Sequence, residues 1–203
     1  MKRFILTAVV FVYCVLSGIS DAFVLVKDGR PVSIVVLGDD PHPAERFAAE
    51  ELVGHIRRMT GAELPIHEMS YGDIPVTGNT ILVGWGDWME SPRFESSIEE
   101  LGVLGDQGIV VRDYADTEPN VLLVTGDGPR GVLYAAYELL HNLGVRWYTA
   151  DVTKCPKAKT LDTGDLNIGD IPCFDVRGVT LPAIDRDPLW EARLRLSAGC
   201  GFM

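Results

Sequence analysis

Three glycines between residues 126 and 131 have the spacing of a nucleotide-binding turn. Gly126, Gly128 and Gly131 give Gly-x-Gly-x-x-Gly at the start of a helical pattern. They follow an apolar run, residues 121–124, that predicts a strand. In a dinucleotide site such glycines let backbone N–H groups approach a pyrophosphate at the positive end of the helix dipole. The motif also needs an acid about twenty residues further on, and Asp151 is a candidate. An FAD- or NAD-dependent oxidoreductase is therefore one alternative.

A tight strand-to-helix turn explains the same glycines without a cofactor. Asp127 stands between the first two glycines, where its charge suits the helix dipole and opposes a pyrophosphate. The motif also comes after about a hundred residues of other α/β sequence, whereas a dinucleotide fingerprint sits in the first βα unit of its fold. The balance favours an architectural turn, so we expect no cofactor.

Two side chains of the same region are candidates for substrate binding. Arg130 lies in the first helical turn, where it either reaches a domain interface or sugar site or is an ordinary exposed arginine. Trp147 offers an aromatic face to sugar rings, although Trp147-Tyr148 is more typical of a strand with one residue in the core and one on the other face. Trp85 and Trp88 flank Gly86-Asp87 in a predicted loop; they are candidates for glycan contacts, although loop tryptophans also fill the junctions between domains.

No catalytic constellation is recognisable in the chain. Ser, His and Asp form no nucleophile-elbow pattern, and Asp185 and Asp187 bracket Arg186 as in a solvated loop. Four histidines share no spacing that would build a metal site: His42, His55, His67 and His141. We therefore expect no catalytic residue and no metal site.

The amino terminus has the three parts of a secretory signal peptide. Lys2 and Arg3 form a basic region, residues 4–19 are almost wholly apolar, and small residues occupy the minus-three and minus-one positions of a cleavage site that ends at Ala22. The apolar run is shorter than the roughly 20 residues of a spanning helix. We expect residues 1–22 to be removed by a Sec-type pathway, which predicts a secreted, periplasmic or cell-surface protein.

Charge and cysteine content restrict the partners and the redox state. The formal net charge is −11, and an acidic body repels phosphate backbones and anionic lipid. Nucleic acid and membrane surfaces are therefore not expected as partners. Three cysteines follow the signal peptide, Cys155, Cys173 and Cys200. Their odd number favours free, buried thiols, while a Cys155–Cys173 pair stays open.

The hydrophobic pattern predicts an α/β domain over residues 23–170, with a mixed β-sheet and packed helices. One helix begins near residues 39–43 and ends at Gly61, with Ala48, Leu52, Ile56 and Met59 as its buried stripe. The best helix has Pro129 in its first turn and Gly144 as its cap. Its predicted buried stripe is Val132, Leu133, Ala136, Tyr137, Leu140 and Leu143. A shorter one spans residues 94–101. Strands are predicted at residues 23–26 and 32–37 as an opening hairpin, at 64–67 and 80–84, at 108–113 and 121–125 as a second pair, and at 145–148 returning to the sheet.

A different pattern begins at residue 171. A strand over residues 174–181 and an amphipathic helix over 189–196 are predicted, and so short a segment cannot bury a core of its own. We expect residues 171–203 to be the start of a second domain that is cut off at Met203.

Two motifs carry a resemblance to a known group of proteins. The runs GPRGVLYAAYELL, residues 128–140, and LGVRWY, residues 143–148, resemble the α/β domain before the catalytic barrel of alpha-glucuronidases, family 20 beta-hexosaminidases and related bacterial proteins of unassigned activity. The resemblance extends from residue 23 to about 196. It implies a hexosaminidase N-terminal-domain-like fold, followed by the first β/α unit of an incomplete (β/α)8 or TIM barrel whose catalytic carboxylates lie beyond Met203.

The resemblance also assigns one binding residue and a function. Arg177 matches the first-strand arginine that hydrogen-bonds sugar hydroxyls in family 20 enzymes. Leu181 is followed by Pro182 and not by the family's aspartate, which favours the unassigned relatives over a hexosaminidase. The implied function is a non-catalytic accessory domain of a secreted glycoside hydrolase that acts on a carbohydrate substrate and packs on its own barrel. A non-catalytic carbohydrate-binding module is a further alternative.

Overall fold

Three helices and eleven strands build the part of the chain that the structure, a computed structural model, describes: residues 22–75, 77–105, 107–114, 119–149, 151–164 and 166–173. The helices are α1 Pro43–Thr60, α2 Glu95–Leu104 and α3 Gly128–Asn142. The strands are β1 Val24–Lys27, β2 Arg30–Pro31, β3 Ser33–Leu37, β4 Ile66–Glu68, β5 Asn79–Val83, β6 Ile109–Tyr114, β7 Asn120–Gly126, β8 Arg146–Trp147, β9 Thr153–Lys154, β10 Leu161–Asp162 and β11 Asn167–Asp170. The predicted α/β class is confirmed.

A mixed six-stranded sheet with the order β11-β6-β7-β5-β3-β4 forms the centre of the fold. β4, β3, β5 and β7 are mutually parallel, β6 runs antiparallel to β7, and β11 runs antiparallel to β6. The strands β3, β5, β7 and β11 therefore end at the same side of the sheet, which we call the carboxyl edge. A three-stranded antiparallel sheet, β10-β1-β2, lies beside this central sheet.

Both faces of the central sheet are covered. In β7, Leu122 and Val124 belong to a core shared with α1 and α3, whereas Val121 and Leu123 pack with Trp88 and Phe94 on the other face. All of these side chains are fully buried. An uninterrupted apolar run is what a strand buried on two faces requires, and residues 121–124 are such a run.

The first predicted helix is confirmed, with one difference at its start. Its apolar stripe is buried against the sheet: Ala48, Leu52, Ile56 and Met59. Gly61 ends it with a φ of 82° in the left-handed region, as a C-terminal glycine should. The capping residue is His42, with Pro43 in the first turn and Glu45 closing a capping box. Asp39 and Asp40 precede the helix without capping it.

The second predicted helix is also confirmed. Pro129 stands in its first turn, and Gly144 follows its end with a φ of 95°. Of the predicted stripe, Leu133 and Leu143 are only partly buried, whereas the remaining members are buried: Val132, Ala136, Tyr137 and Leu140. Ala135 and Leu139 are buried as well, so the apolar face of α3 is wider than predicted.

The opening hairpin is smaller than predicted. β1 pairs with β2 across the two-residue turn Asp28-Gly29, whose φ values of 52° and 75° match a type I′ hairpin turn. β3 does not belong to this hairpin, because it pairs in parallel with β4 and β5. Hydrophobic periodicity identified the strand but carries no information about its partner.

The strand predicted at residues 145–148 does not return to the central sheet. β8 pairs with β9 in a separate two-stranded ribbon. The Arg146 guanidinium donates to the carbonyl oxygens of His141 and Val145, which holds β8 at the end of α3. β11 forms the outer strand of the central sheet beside β6 instead.

Two cysteines are described and both are free thiols. Cys155 is half-buried and Cys173 is exposed, so the prediction of buried thiols is wrong for Cys173. Among the described residues no helix is both long and apolar enough to cross a membrane. Residues 1–21 of the predicted signal sequence, Cys200, Arg177 and the predicted barrel elements after residue 173 lie outside the described residues.

Candidate functional site at the carboxyl edge of the sheet

The topology directs attention to the carboxyl edge. β3 is followed by α1 and β7 by α3 on one face of the sheet, whereas β5 is followed by turns and α2 on the other. In open α/β sheets, ligands bind outside the carboxyl ends of strands whose connections leave toward opposite faces. The two places to search are therefore the crevices between β3 and β5 and between β5 and β7.

The crevice between β3 and β5 is closed by backbone contact. A methyl group placed on Gly38 would lie 2.8 Å from the carbonyl oxygen of Trp85 and 3.3 Å from the Cα of Gly86. The segments that leave β3 and β5 thus touch directly, and only glycine fits at position 38.

The side chain of Glu45 connects the same two segments, those that leave β3 and β5, by hydrogen bonds. Its carboxylate accepts hydrogen bonds from the backbone N–H groups of Trp85, at 3.0 Å, and His42, at 2.8 Å. The residue is only 5% exposed, so both bonds stabilise a buried negative charge. A methyl group on Gly84, whose φ is 80°, would lie 2.5 Å from a Glu45 oxygen. Sequence reasoning missed Glu45, although its spacing of three residues from the helix cap is a capping-box signal.

The crevice between β5 and β7 is covered by Trp85. Its indole N–H donates to the carbonyl oxygen of Gly126 at 2.7 Å. The side chain remains 42% exposed, so one part of the ring closes the crevice while another part faces outward. Trp88, three residues later, is fully buried. Of the two tryptophans considered as glycan contacts, only Trp85 lies at the surface.

The glycine motif at the end of β7 is used for close packing. A methyl group on Gly126 would lie 2.2 Å from the carbonyl carbon of Gly131, and one on Gly131 would lie 2.9 Å from the carbonyl oxygen of Gly108. The N–H of Asp127 donates to that same Gly108 oxygen at 2.8 Å. Gly128 has a φ of 71° with no atom within 4 Å of its methyl position. Backbone geometry alone therefore explains why each of the three positions is glycine, as expected for an architectural turn.

The acidic residues of the dinucleotide alternative do not support it. Asp127 is the N-terminal cap position of α3 and its side chain makes no capping bond. Asp151 is exposed in the turn between β8 and β9 and so does not follow a strand of the central sheet. No group of three or more His, Cys, Asp or Glu side chains that suits a metal ion is found among the residues described.

The structure separates the predicted binding residues. Arg130 is exposed in the first turn of α3, at the carboxyl edge. Trp147 lies on β8, half-buried, with its ring centroid 5.3 Å from that of Tyr137 and 5.5 Å from that of His55, both in edge-to-face geometry. Trp147 is thus a packing residue, and Tyr148 beside it is exposed. Arg177 is not among the described residues.

The chain leaves the central sheet at this same edge. Asp170, the last residue of β11, is opposite Ile109, which is opposite Gly126. Two strand spacings are about 10 Å, so the chain continues from a point near the glycine turn. We define the edge surface as the exposed residues Trp85, Arg130 and Ile171.

Comparisons with known proteins agree with this description. Residues 24–139 match the family model described as the N-terminus of glycosyl hydrolase family 67. One similar solved structure is a family GH115 4-O-methyl-alpha-glucuronidase with specificity for decorated arabinogalactans; the TM-score is 0.52 and the sequence identity 26%. The match covers 74% of this chain but only 18% of that enzyme. A comparison with curated proteins gave no match.

Proposed function

Because the chain belongs to the family of glycosyl hydrolase family 67 N-terminal domains, we propose that it is the non-catalytic accessory domain of a secreted alpha-glucuronidase. The match over residues 24–139 is the observation that carries this proposal. The likeness to a 4-O-methyl-alpha-glucuronidase supports glycans with alpha-linked glucuronic acid, or its 4-O-methyl ether, as the substrate class. The family 20 part of the resemblance stays a prediction.

The acidic residues at the carboxyl edge support a non-catalytic role. Glycoside hydrolysis requires two carboxyl groups that flank the scissile bond. Here Glu45 holds two backbone N–H groups, Asp39 accepts a hydrogen bond from the Ser70 hydroxyl, and Asp87 accepts one from the N–H of Tyr71. These three carboxylates serve as hydrogen-bond acceptors within the domain, and the proposal assigns the acid and the nucleophile or base to the catalytic domain.

The edge surface is the part of the domain that packs on the catalytic domain. The chain leaves β11 at this edge, and the proposal is that a following (β/α)8 barrel packs on the same edge, which also carries Trp85 and Arg130. Trp85 is fixed by hydrogen bonds through its backbone and its indole, which lets it present a rigid aromatic surface. The accessory domain thereby supports the rim of the sugar site. Arg177, in the first predicted barrel strand, is assigned to substrate by resemblance only.

Uronic acid release tests the assignment. The complete protein, with the sequence that follows residue 203, and the 203-residue chain are each incubated with oligosaccharides that carry alpha-linked 4-O-methylglucuronic acid. We expect the complete protein to release the uronic acid and the 203-residue chain to release none. Release by the short chain would contradict the non-catalytic role. If the complete protein released no uronic acid from any uronosyl linkage tested, the proposed substrate class would be contradicted. Binding of glycan by the 203-residue chain would favour a carbohydrate-binding module.

Substitutions in the edge surface test the domain contact. In the complete protein, Trp85→Ala and Arg130→Ala are expected to separate the thermal unfolding of the two domains and to lower kcat/KM for uronic acid release. Tyr148→Ala is the matched control, because Tyr148 is 63% exposed near the opposite end of α3. Equal effects of all three substitutions would exclude the edge surface as the specific contact.

A further inference from the structure

Phe23 is held in place by its side chain and by both of its backbone polar groups. The ring is 1% exposed and belongs to the core shared with α1 and α3. The Phe23 carbonyl oxygen accepts a hydrogen bond from the N–H of Thr163 at 3.0 Å. Its nitrogen lies 3.1 Å from Oδ2 of Asp113 on β6 and donates to it. The position of this nitrogen is therefore fixed relative to a carboxylate of the central sheet.

The same nitrogen is the one that signal peptide removal would free. The sequence predicts cleavage between Ala22 and Phe23. Hydrolysis of that bond adds one water, leaves a carboxylate on Ala22 and an amine on Phe23, and the amine takes up a proton below its pKa of about 8. An uncharged amide N–H at 3.1 Å from Asp113 thus becomes an ammonium group in the same position.

We propose that removal of the signal peptide creates an ion pair between the α-ammonium group of Phe23 and the carboxylate of Asp113. This inference rests on the secretion part of the proposed function. The bond connects two sheets, because Phe23 leads into β1 and Asp113 belongs to β6. The bond from the amide N–H to the carboxylate is charged only on its acceptor side, whereas the ammonium group adds a positive charge on the donor side and with it a Coulombic attraction across the same contact. The mature domain is therefore more stable than the unprocessed one.

The geometry makes this effect specific to one cleavage position. Consecutive Cα atoms are about 3.8 Å apart, so a terminus that retains Ala22 carries its charge away from the Asp113 oxygen. It also keeps the Phe23 amide N–H as the donor. The two termini thus differ in the placement of one positive charge.

A double-mutant cycle measures this contribution. Four proteins are produced as fusions and released by a protease that cuts directly before the desired first residue. They begin at Phe23 or at Ala22, each with Asp113 or with Asp113→Asn. The asparagine keeps an acceptor oxygen and removes the charge. With Asp113, we expect the chain that begins at Phe23 to melt about 2–4 °C higher. With asparagine, we expect the two chains to melt alike. An equal difference in both backgrounds, or none in either, would overturn the ion pair.

Two further measurements keep the proposal testable. Carbamylation of the Phe23 α-amine removes its charge but keeps an N–H, so it should lower Tm by about as much as the extra Ala22 does. An unchanged Tm after carbamylation would contradict the proposal. This result can be obtained even if the asparagine variant does not fold. Terminal sequencing of the exported protein should give Phe23 as the first residue, and another first residue would also contradict it. Neither result depends on uronic acid release, so failure of the glycoside hydrolase assignment is recognised separately.

Discussion

The two ends of the parallel strands are held together in different ways. At the carboxyl edge, backbone lies against backbone at Gly38, Gly126 and Gly131. At the amino ends, polar side chains fill the gaps: Asn120 donates to Asn79, and Asn79 donates to the carbonyl oxygen of Val24. The difference follows from the connections. Three segments leave the carboxyl edge toward different faces within a small space, whereas the side-chain bonds at the amino ends connect β5 and β7 to β1.

This difference changes how a glycine motif is interpreted. The spacing Gly-x-Gly-x-x-Gly supplies close approach, whether the approaching group is a phosphate or another stretch of main chain. In this domain, Gly108 and Gly131 provide the neighbouring main chain. A glycine motif therefore identifies a crowded turn, and the function of the turn depends on which group fills the space.

The largest expected effect is at the glycine turn. Gly126→Ala places a methyl group 2.2 Å from the carbonyl carbon of Gly131, so we expect a loss of about 3 kcal/mol or more in the free energy of unfolding. Denaturant unfolding measures it. Gly102→Ala is the matched control, because Gly102 is exposed within α2 and its methyl group meets no atom within 4 Å. The control should raise stability by about 0.5–1 kcal/mol. Similar values for the two variants would contradict the close contact.

The next effect is at the buried carboxylate of the same edge. Glu45→Ala removes the acceptor for the N–H groups of His42 and Trp85. We expect a loss of about 2–3 kcal/mol, since charged acceptors contribute more than neutral ones. Glu50→Ala, in an exposed position of α1, should change stability by less than about 0.5 kcal/mol. A loss at Glu45 no larger than at Glu50 would show that the carboxylate does not join the two segments.

A smaller effect is expected at the amino ends of the strands. Asn79→Ala removes one hydrogen bond to Val24 and one from Asn120, which should cost about 1–2 kcal/mol in unfolding measurements. Asn142→Ala serves as the control, because Asn142 is exposed and bonds only to Glu138 within α3. If Asn79→Ala cost more than Gly126→Ala, the contrast between the two ends of the sheet would be reversed.

The smallest effect is expected for one bond of Trp85. Trp85→Phe keeps an aromatic ring but removes the indole N–H that donates to Gly126. We expect a loss of about 1 kcal/mol and faster hydrogen exchange in the turn after β7. Tyr148→Phe, on an exposed ring away from this edge, provides the reference. An unchanged exchange rate at residues 126–131 would show that the indole does not hold the turn.

The sequence predicted elements well and their partners poorly. Residues 121–124 are identified as a strand because burial on both faces gives an uninterrupted apolar run. The buried stripe of α1 is identified because burial of one helical face gives apolar residues at helical spacing. The parallel pairing of β3 and the separate ribbon of β8 depend on contacts that are distant in the chain. Those contacts leave no periodic signal.

The candidate site was predicted in part for the same reason. Its glycines and Arg130 were named from sequence and do lie at the carboxyl edge, whereas Trp147 packs elsewhere. Glu45 was missed because its bond to Trp85 joins residues 40 positions apart. Only the helix-capping half of its role is local enough to be seen in a sequence.

The order of the strands in the two sheets also determines when each sheet can be completed during synthesis. β1, at the beginning of the described chain, pairs with β10, and the outer strand of the central sheet is β11. A chain that emerges from its amino end must therefore wait for residues 161–170 before either sheet is complete. Folding of both sheets is therefore expected to follow the synthesis of nearly the whole domain, and not to proceed strand by strand as the chain emerges.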